Sequence, residues 1–202
     1  MKGVVRLRKI ILITGTPGVG KTSISKVLER RLNALRIDLN ELVLKNGLIL
    51  KMDKKRNSKV ADLEKLSKRV KNIFKSSSKD VIIEGHYSSD VLPSNLITHI
   101  FVIRRNPKFL INILEKKGFS HSKIKENVLT ELLDICLIDA VSSNASEKIS
   151  EVDATNRTIK EVTDEIIQII KGLKRKNFGN IDWIKRLKDD KLLEDLLESF
   201  CN

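Results

Sequence analysis

The chain has 202 residues, 41% of them apolar, enough for one domain with a core of ordinary size, and no apolar run approaches the length of a membrane span. Cys136 and Cys201 are far apart and lack metal-ligand spacing, so there is no zinc pattern and the simple reading is one core thiol and one terminal thiol. The net charge of +13 is concentrated at one end: residues 1–75 carry 20 Lys/Arg and 6 Asp/Glu, residues 76–171 carry 12 and 14, and residues 172–202 carry 7 and 6. Such a basic first third suits polyanions, whether nucleotides, RNA or a ribonucleoprotein particle. Aromatic residues are only 4%, which argues against a base-stacking RNA platform. These features together suggest a soluble cytoplasmic protein.

The first predicted element is the short, β-branched run Lys9-Ile10-Ile11-Leu12-Ile13-Thr14, which reads as a buried parallel strand. Gly15-Thr16-Pro17-Gly18-Val19-Gly20-Lys21-Thr22 follows at once and fits G-x-x-x-x-G-K-[ST]. Ile24, Val27, Leu28 and Leu32 then recur at helical spacing, so the loop opens into a helix. Strand, glycine-rich loop and helix make a phosphate-binding unit. Its glycines let backbone N–H groups converge on an anion, and the helix N-terminus adds unpaired donors. In that chemistry Lys21 reaches the β- and γ-phosphates of a nucleotide, and the Thr22 hydroxyl ligates the Mg²⁺ that bridges them.

Leu35–Leu39 predicts a short second strand, and Asn40 is placed to cap a helix that Gly47 ends. Residues 51–59 are charged and unpatterned and read as a loop. Val60, Leu63, Leu66, Val70, Ile73 and Phe74 mark an amphipathic helix with Lys59, Lys65, Lys68, Arg69 and Lys71 around its polar side. Asp80–His86 is the second informative stretch. Three β-branched residues run into Glu84, and a strand-end acid in a phosphate-loop protein commonly supports Mg²⁺. His86 follows at the carboxyl edge of the sheet, where ligands of open α/β sheets bind.

Ile97–Arg104 predicts another parallel strand. Pro107 suits the start of a helix over 107–116, and a single long helix follows over about 122–141. A short strand at Lys148–Val152 and an amphipathic helix at Thr158–Lys171 complete five strands alternating with helices. That order implies right-handed crossovers and an α/β fold, a parallel sheet with helices on both faces. Gly172 and the basic run 174–176 read as a hinge, and 184–197 as one or two short helices with an apolar stripe, either packed back on the domain or serving to dock a partner.

In four places the chain is similar to a known family. Gly15–Thr22, Ile37-Asp38-Leu39-Asn40-Glu41-Leu42, Glu84-Gly85-His86 and Lys117-Gly118-Phe119 together resemble the archaeal form of adenylate kinase isoenzyme 6, an adenylate-kinase-like nucleoside monophosphate kinase. The match covers residues 9 to about 171. The resemblance implies a P-loop kinase domain over 1–171, with a monophosphate-binding region at about 38–61 and a short lid at about 116–126, followed by a helical tail at 172–202. It implies phosphoryl transfer from ATP·Mg²⁺ to a nucleoside monophosphate, with an ATPase side activity. It also implies a role in late small-ribosomal-subunit maturation and 16S rRNA processing, through the universal small-subunit ribosomal protein number eleven and contact with rRNA or the 30S particle. An alternative is a nucleotide-switched assembly factor whose ATPase is the activity that matters.

By the same analogy Gly15, Gly18, Val19, Gly20, Lys21, Thr22 and Ser23 bind ATP, with Lys117 and Arg157 contacting it from the lid and the adenine side. Asp38, Asn40 and Glu41 face the monophosphate. Lys21, Glu84 and His86 are the catalytic set, and Thr22 and Glu84 hold the metal. Two departures stand out: Ile113 occupies a position where relatives can carry a second lid arginine, and Lys117 offers a point charge instead of a bidentate fork. Both imply a weaker clamp on transition-state charge and slow kinase turnover.

Overall fold

The computed structural model describes residues 8–53, 58–85, 91–189 and 193–194. A five-stranded, all-parallel sheet forms its centre, in the order β2-β5-β1-β6-β7. These strands are β1 (Ile10–Thr14), β2 (Leu35–Asp38), β5 (Val81–Glu84), β6 (His99–Arg104) and β7 (Ile149–Asp153). The central β1 strand is buried along its whole length, which is why it reads as an unbroken apolar run and not as an alternation. Successive residues still face opposite ways. Ile11 and Ile13 join one core cluster with Phe101, Ile103 and Val152, while Ile10 and Leu12 join the other with Ile83, Ile100 and Val102.

Helices cover both faces. On the first lie α1 (Lys21–Leu32), α4 (Pro107–Lys116), α5 (His121–Leu132) and α7 (Ile159–Ile170). On the second lie α2 (Leu39–Lys45), α3 (Leu63–Ser76) and α6 (Ile135–Ser143). Thr158 and Glu161 form a reciprocal capping box that starts α7, and Pro107 opens α4 behind the Asn106 cap.

Four expectations change. Residues 51–59 are not a loop throughout: β3 (Ile49–Asp53) and β4 (Ser58–Ala61) pair as an antiparallel ribbon, because ladder hydrogen bonds can hold charged strands that lack an apolar alternation. Val60 accordingly lies in β4, and α3 starts at Leu63 behind Asp62, whose carboxylate accepts from the Lys65 N–H. Asp38, not Asn40, caps α2, since its side chain reaches the Glu41 N–H at 3.1 Å while Asn40 is exposed in the first turn. The single helix over 122–141 is two, α5 and α6, broken where Asp134 turns left-handed at φ 57°.

The segment after α7 returns to the domain. The Glu151 N–H donates to Asn177 O at 2.8 Å, and α8 (Trp183–Asp189) buries Trp183 and Leu187 in the same cluster as Ile103 and Val152. No helix among the described residues is long and apolar enough to cross a membrane.

Candidate active site

The site lies where the carboxyl ends of β1, β2 and β5 meet. Register aligns Ile13 with Glu84 and Asp38 with Glu84, so the phosphate loop, Asp38 and Glu84 leave the sheet side by side. This is the switch region of an open parallel sheet, where β1 is flanked by strands reached in opposite directions.

The loop has a shape that its glycines require. Gly15 stands at φ 135°, and a Cβ there would lie 2.3 Å from the Ile103 carbonyl oxygen. Gly20, left-handed at φ 108°, is the N-cap of α1 and has no side chain to occupy the helix's free donors. Those donors, with the positive end of α1, are placed to receive an anion. Val19 is fully buried and pins the loop to the core, while Thr22 and Ser23 are exposed at the start of α1.

Lys21 folds over the loop and donates to Gly15 O at 2.6 Å and Thr16 O at 3.0 Å. Burial pushes its pKa down from 10.5 to about 8, against the pull of Cys136, Glu84 and Glu131, and the charge of Lys117 lowers it further. Lys117 caps the end of α4 and is exposed, so its cation bears on the loop lysine through space.

Glu84 is 2% exposed. One oxygen, Oε1, accepts from Arg36 Nη1; the other, Oε2, is buried with no hydrogen-bond partner. Burial raises the Glu84 pKa; the nearby Ser25 hydroxyl opposes this most, the neighbouring Asp38 adds to the rise, and Arg36 opposes it. An orphaned carboxylate oxygen beside a phosphate loop, with the Thr22 hydroxyl at the loop's end, is a hard-oxygen donor set that fits Mg²⁺. Arg36 also lies 3.6 Å from Asp38, 3.6 Å from Glu29 and 3.9 Å from Glu41. A cleft of about 250 Å³ opens there, with Arg36, Asp38, Glu41 and Lys45 on its polar wall and Leu35, Ile37, Leu42 and Ile73 on its apolar one.

Asp38 and Glu41 are thus brought to the Glu84 end of the sheet, and Asn40 sits between them on the exposed turn. Arg157 is tied down beyond β7, donating to Glu165 Oε2 at 2.6 Å, Asp153 O at 2.9 Å and Glu161 O at 3.0 Å. His86 lies outside the described residues.

A family model described as an AAA domain matches residues 11–134. Curated archaeal relatives named "Putative adenylate kinase" match nearly end to end. The one from Methanocaldococcus jannaschii is 41% identical over 91% of this chain and 98% of its own. The one from Methanococcus maripaludis is 38% identical over 87% of this chain and 96% of its own. The chain belongs to this archaeal adenylate kinase family. Solved structures agree on the fold, a P-loop kinase fold of the nucleoside monophosphate kinase type. Shikimate kinase from Bacteroides thetaiotaomicron superposes with a TM-score of 0.55 at 13% identity over 81% of this chain and 98% of its own. A gluconokinase from Sinorhizobium meliloti gives 0.52 at 15% identity, over 83% and 94%.

Within this kinase fold, two arginines escaped sequence reasoning. Arg36 reads as an ordinary polar residue in a short strand, yet it holds Glu84. Arg105 follows β6; its Nε is buried without a hydrogen-bond partner, and its guanidinium reaches within 4.0 Å of the Cβ position of Gly20. Sequence alone offered one hint, the doubled arginine at the end of a predicted strand.

Proposed function

We propose that this chain transfers the γ-phosphoryl group of ATP to a nucleoside monophosphate, AMP among them, and hydrolyses ATP slowly when no acceptor is bound. One arrangement carries this reading: a phosphate loop with its lysine in place, beside a buried strand-end carboxylate that keeps one oxygen free. Family membership supports it independently.

On binding, Lys21 would exchange the carbonyls of Gly15 and Thr16 for the β- and γ-phosphate oxygens, and the anion would raise its pKa again by favouring the charged form. The loop N–H groups from Gly18 to Thr22 and the N-terminus of α1 would hold the phosphates. Thr22 and, directly or through water, Glu84 would hold Mg²⁺, which would supply the remaining charge neutralisation. Lys117 would approach from the lid end, and Asp38, Asn40 and Glu41 would line the acceptor side. His86 is proposed to orient the acceptor phosphate or a water. The reaction needs positioning and electrostatics more than covalent help. A point-charge lid that clamps loosely would admit water, which accounts for a hydrolytic side reaction.

The test is turnover by the Lys21→Ala variant. Loss of both transfer and hydrolysis, by about a hundredfold or more, is expected, and wild-type turnover would overturn the mechanism.

A second reading comes from charge. The exposed Lys65, Lys68, Arg69 and Lys75 of α3 extend the basic first third of the chain. They support an RNA-facing assembly factor; small-subunit maturation and ribosomal protein number eleven as partner rest on the family resemblance alone. Association with rRNA that weakens steeply with salt and responds to nucleotide would favour that role; salt-independent or absent binding would remove it.

A further inference from the structure

The proposed chemistry uses the face of the loop that meets phosphate. On the opposite face, besides the apolar packing of Val19 and Gly18, one carboxylate gathers the polar contacts. Thr16 is fully buried, and its hydroxyl donates to Glu131 Oε2 at 2.6 Å across 115 positions of sequence. Glu131 Oε1 takes three further donors: Arg104 Nε at 2.8 Å, the indole Nε1 of Trp183 at 2.9 Å and the Arg105 backbone N–H at 3.1 Å. A carboxylate offers about four acceptor sites, so Glu131 is saturated. It is 2% exposed, as is Trp183.

Arg104 extends this group. It pairs with Glu151 and Asp134 as well as with Glu131. Glu151 in turn accepts the Gly179 N–H at 2.5 Å. The segment from 177 to 187 is therefore tied to the loop's support by two routes, Glu131 to Trp183 and Glu151 to Gly179. In the other direction, the Thr16 carbonyl is one of the two rests of Lys21. Trp183 and the Thr16 hydroxyl thus share the Glu131 carboxylate, and the backbone carbonyl of the same Thr16 holds the loop lysine.

We propose that Glu131 is a positioning residue of the phosphate loop and that Trp183 acts through it, making the segment 177–187 a working part of the nucleotide site. The inference rests on the loop's being the ATP site. Buried hydrogen bonds of this kind are coupled: removing one donor shifts the acceptor toward the others. The departure of Lys21 from Thr16 on ATP binding is felt at the indole, and loss of the indole N–H is felt in ATP binding.

Trp183 is the single tryptophan of the chain, so tryptophan emission reports on its surroundings alone, and the Thr16 variants separate the Glu131 path from the Arg186 guanidinium over the ring. The experiment titrates the full-length protein with ATP while following tryptophan emission, and measures ATP binding separately by calorimetry. The expected result is an emission change that saturates with binding and disappears in Thr16→Val but survives in Thr16→Ser. Trp183→Phe, which keeps an aromatic ring but loses the N–H, should raise KM for ATP about threefold to tenfold, the size of one hydrogen bond, with KM for the monophosphate unchanged. In combination with Thr16→Val its effect on ATP affinity should depart from the product of the single effects by at least about threefold, although the two side chains meet only through Glu131. Calorimetric binding with unchanged emission, an unchanged KM for ATP in Trp183→Phe, or strictly multiplicative effects would overturn the inference while leaving the ATP site standing. No calorimetric binding to the wild-type protein would overturn the ATP site itself, and the inference with it.

Discussion

At the scale of single residues, the site is defined by groups whose surroundings are wrong for them until an anion or a cation arrives. Lys21 is the clearest case. Its pKa of about 8 in the free protein lies below its ordinary 10.5, and bound phosphate raises it again. A group whose pKa is raised by a ligand contributes affinity that is complete below the free value and is lost as pH rises through and beyond it. ATP affinity should therefore hold steady up to about pH 8 and fall by up to about tenfold per unit above it, with proton uptake visible by calorimetry in buffers of different ionisation enthalpy. Flat affinity to about pH 10 with no proton uptake would contradict this. For folding the sign is reversed: the unfolded lysine binds the proton more tightly, so this group's contribution to stability rises with pH between about 8 and 10.5.

Gly15 makes a second residue-scale prediction. Gly15→Ala puts a Cβ against the Ile103 backbone in a conformation that L-residues avoid. Strain alone costs about 1–3 kcal/mol. ATP binding should be lost, and the melting temperature should drop by several degrees; a variant that binds ATP like wild type would show that the loop can relax.

At the scale of elements, local and long-range signals part company. The strand–loop–helix unit from Ile10 to Leu32 was legible because every requirement is written within a few residues: β-branched strand, glycines at the turn, helical spacing after it. The same holds for the other four core strands and for α4 and α7. The β3–β4 ribbon was not legible, because its stability comes from cross-strand pairing of charged segments. The break between α5 and α6 was not either, since Ile124, Val128, Leu132, Ile135 and Ile138 keep a helical rhythm straight through it. There the chain turns at Asp134, whose carboxylate pairs with Arg104. That pairing, like the hold of Arg36 on Glu84, joins residues that only the tertiary fold brings together.

Arg104 supplies the test at this scale. It is 1% exposed and faces three carboxylates. Burial alone would depress its pKa, but Glu131 and Asp134 hold it above the usual arginine value. Arg104→Met would leave Glu131 and Glu151 buried without their cation, at a cost of about 3–5 kcal/mol. For a chain of this size the melting temperature should fall on the order of 10 °C. A melting temperature within a degree or two of wild type would mean that the carboxylates are neutralised some other way.

At the scale of the whole molecule, two cores on either side of one parallel sheet fix β1, and β1 fixes the loop. The chain past residue 171 reaches back to the same core through Trp183, so the segment beyond α7 contributes to holding the phosphate loop. The uneven charge adds a basic surface on α3 that the chemistry of phosphoryl transfer does not require.

The central claim is phosphoryl transfer to a monophosphate, and it is tested most directly by following ATP and Mg²⁺ with the wild-type protein, alone and with AMP and each other nucleoside monophosphate. The account predicts that at least one monophosphate is converted to its diphosphate faster than ATP is hydrolysed alone, and that Lys21→Ala does neither. Slow hydrolysis indifferent to every acceptor would contradict it, leaving a nucleotide switch in place of a kinase.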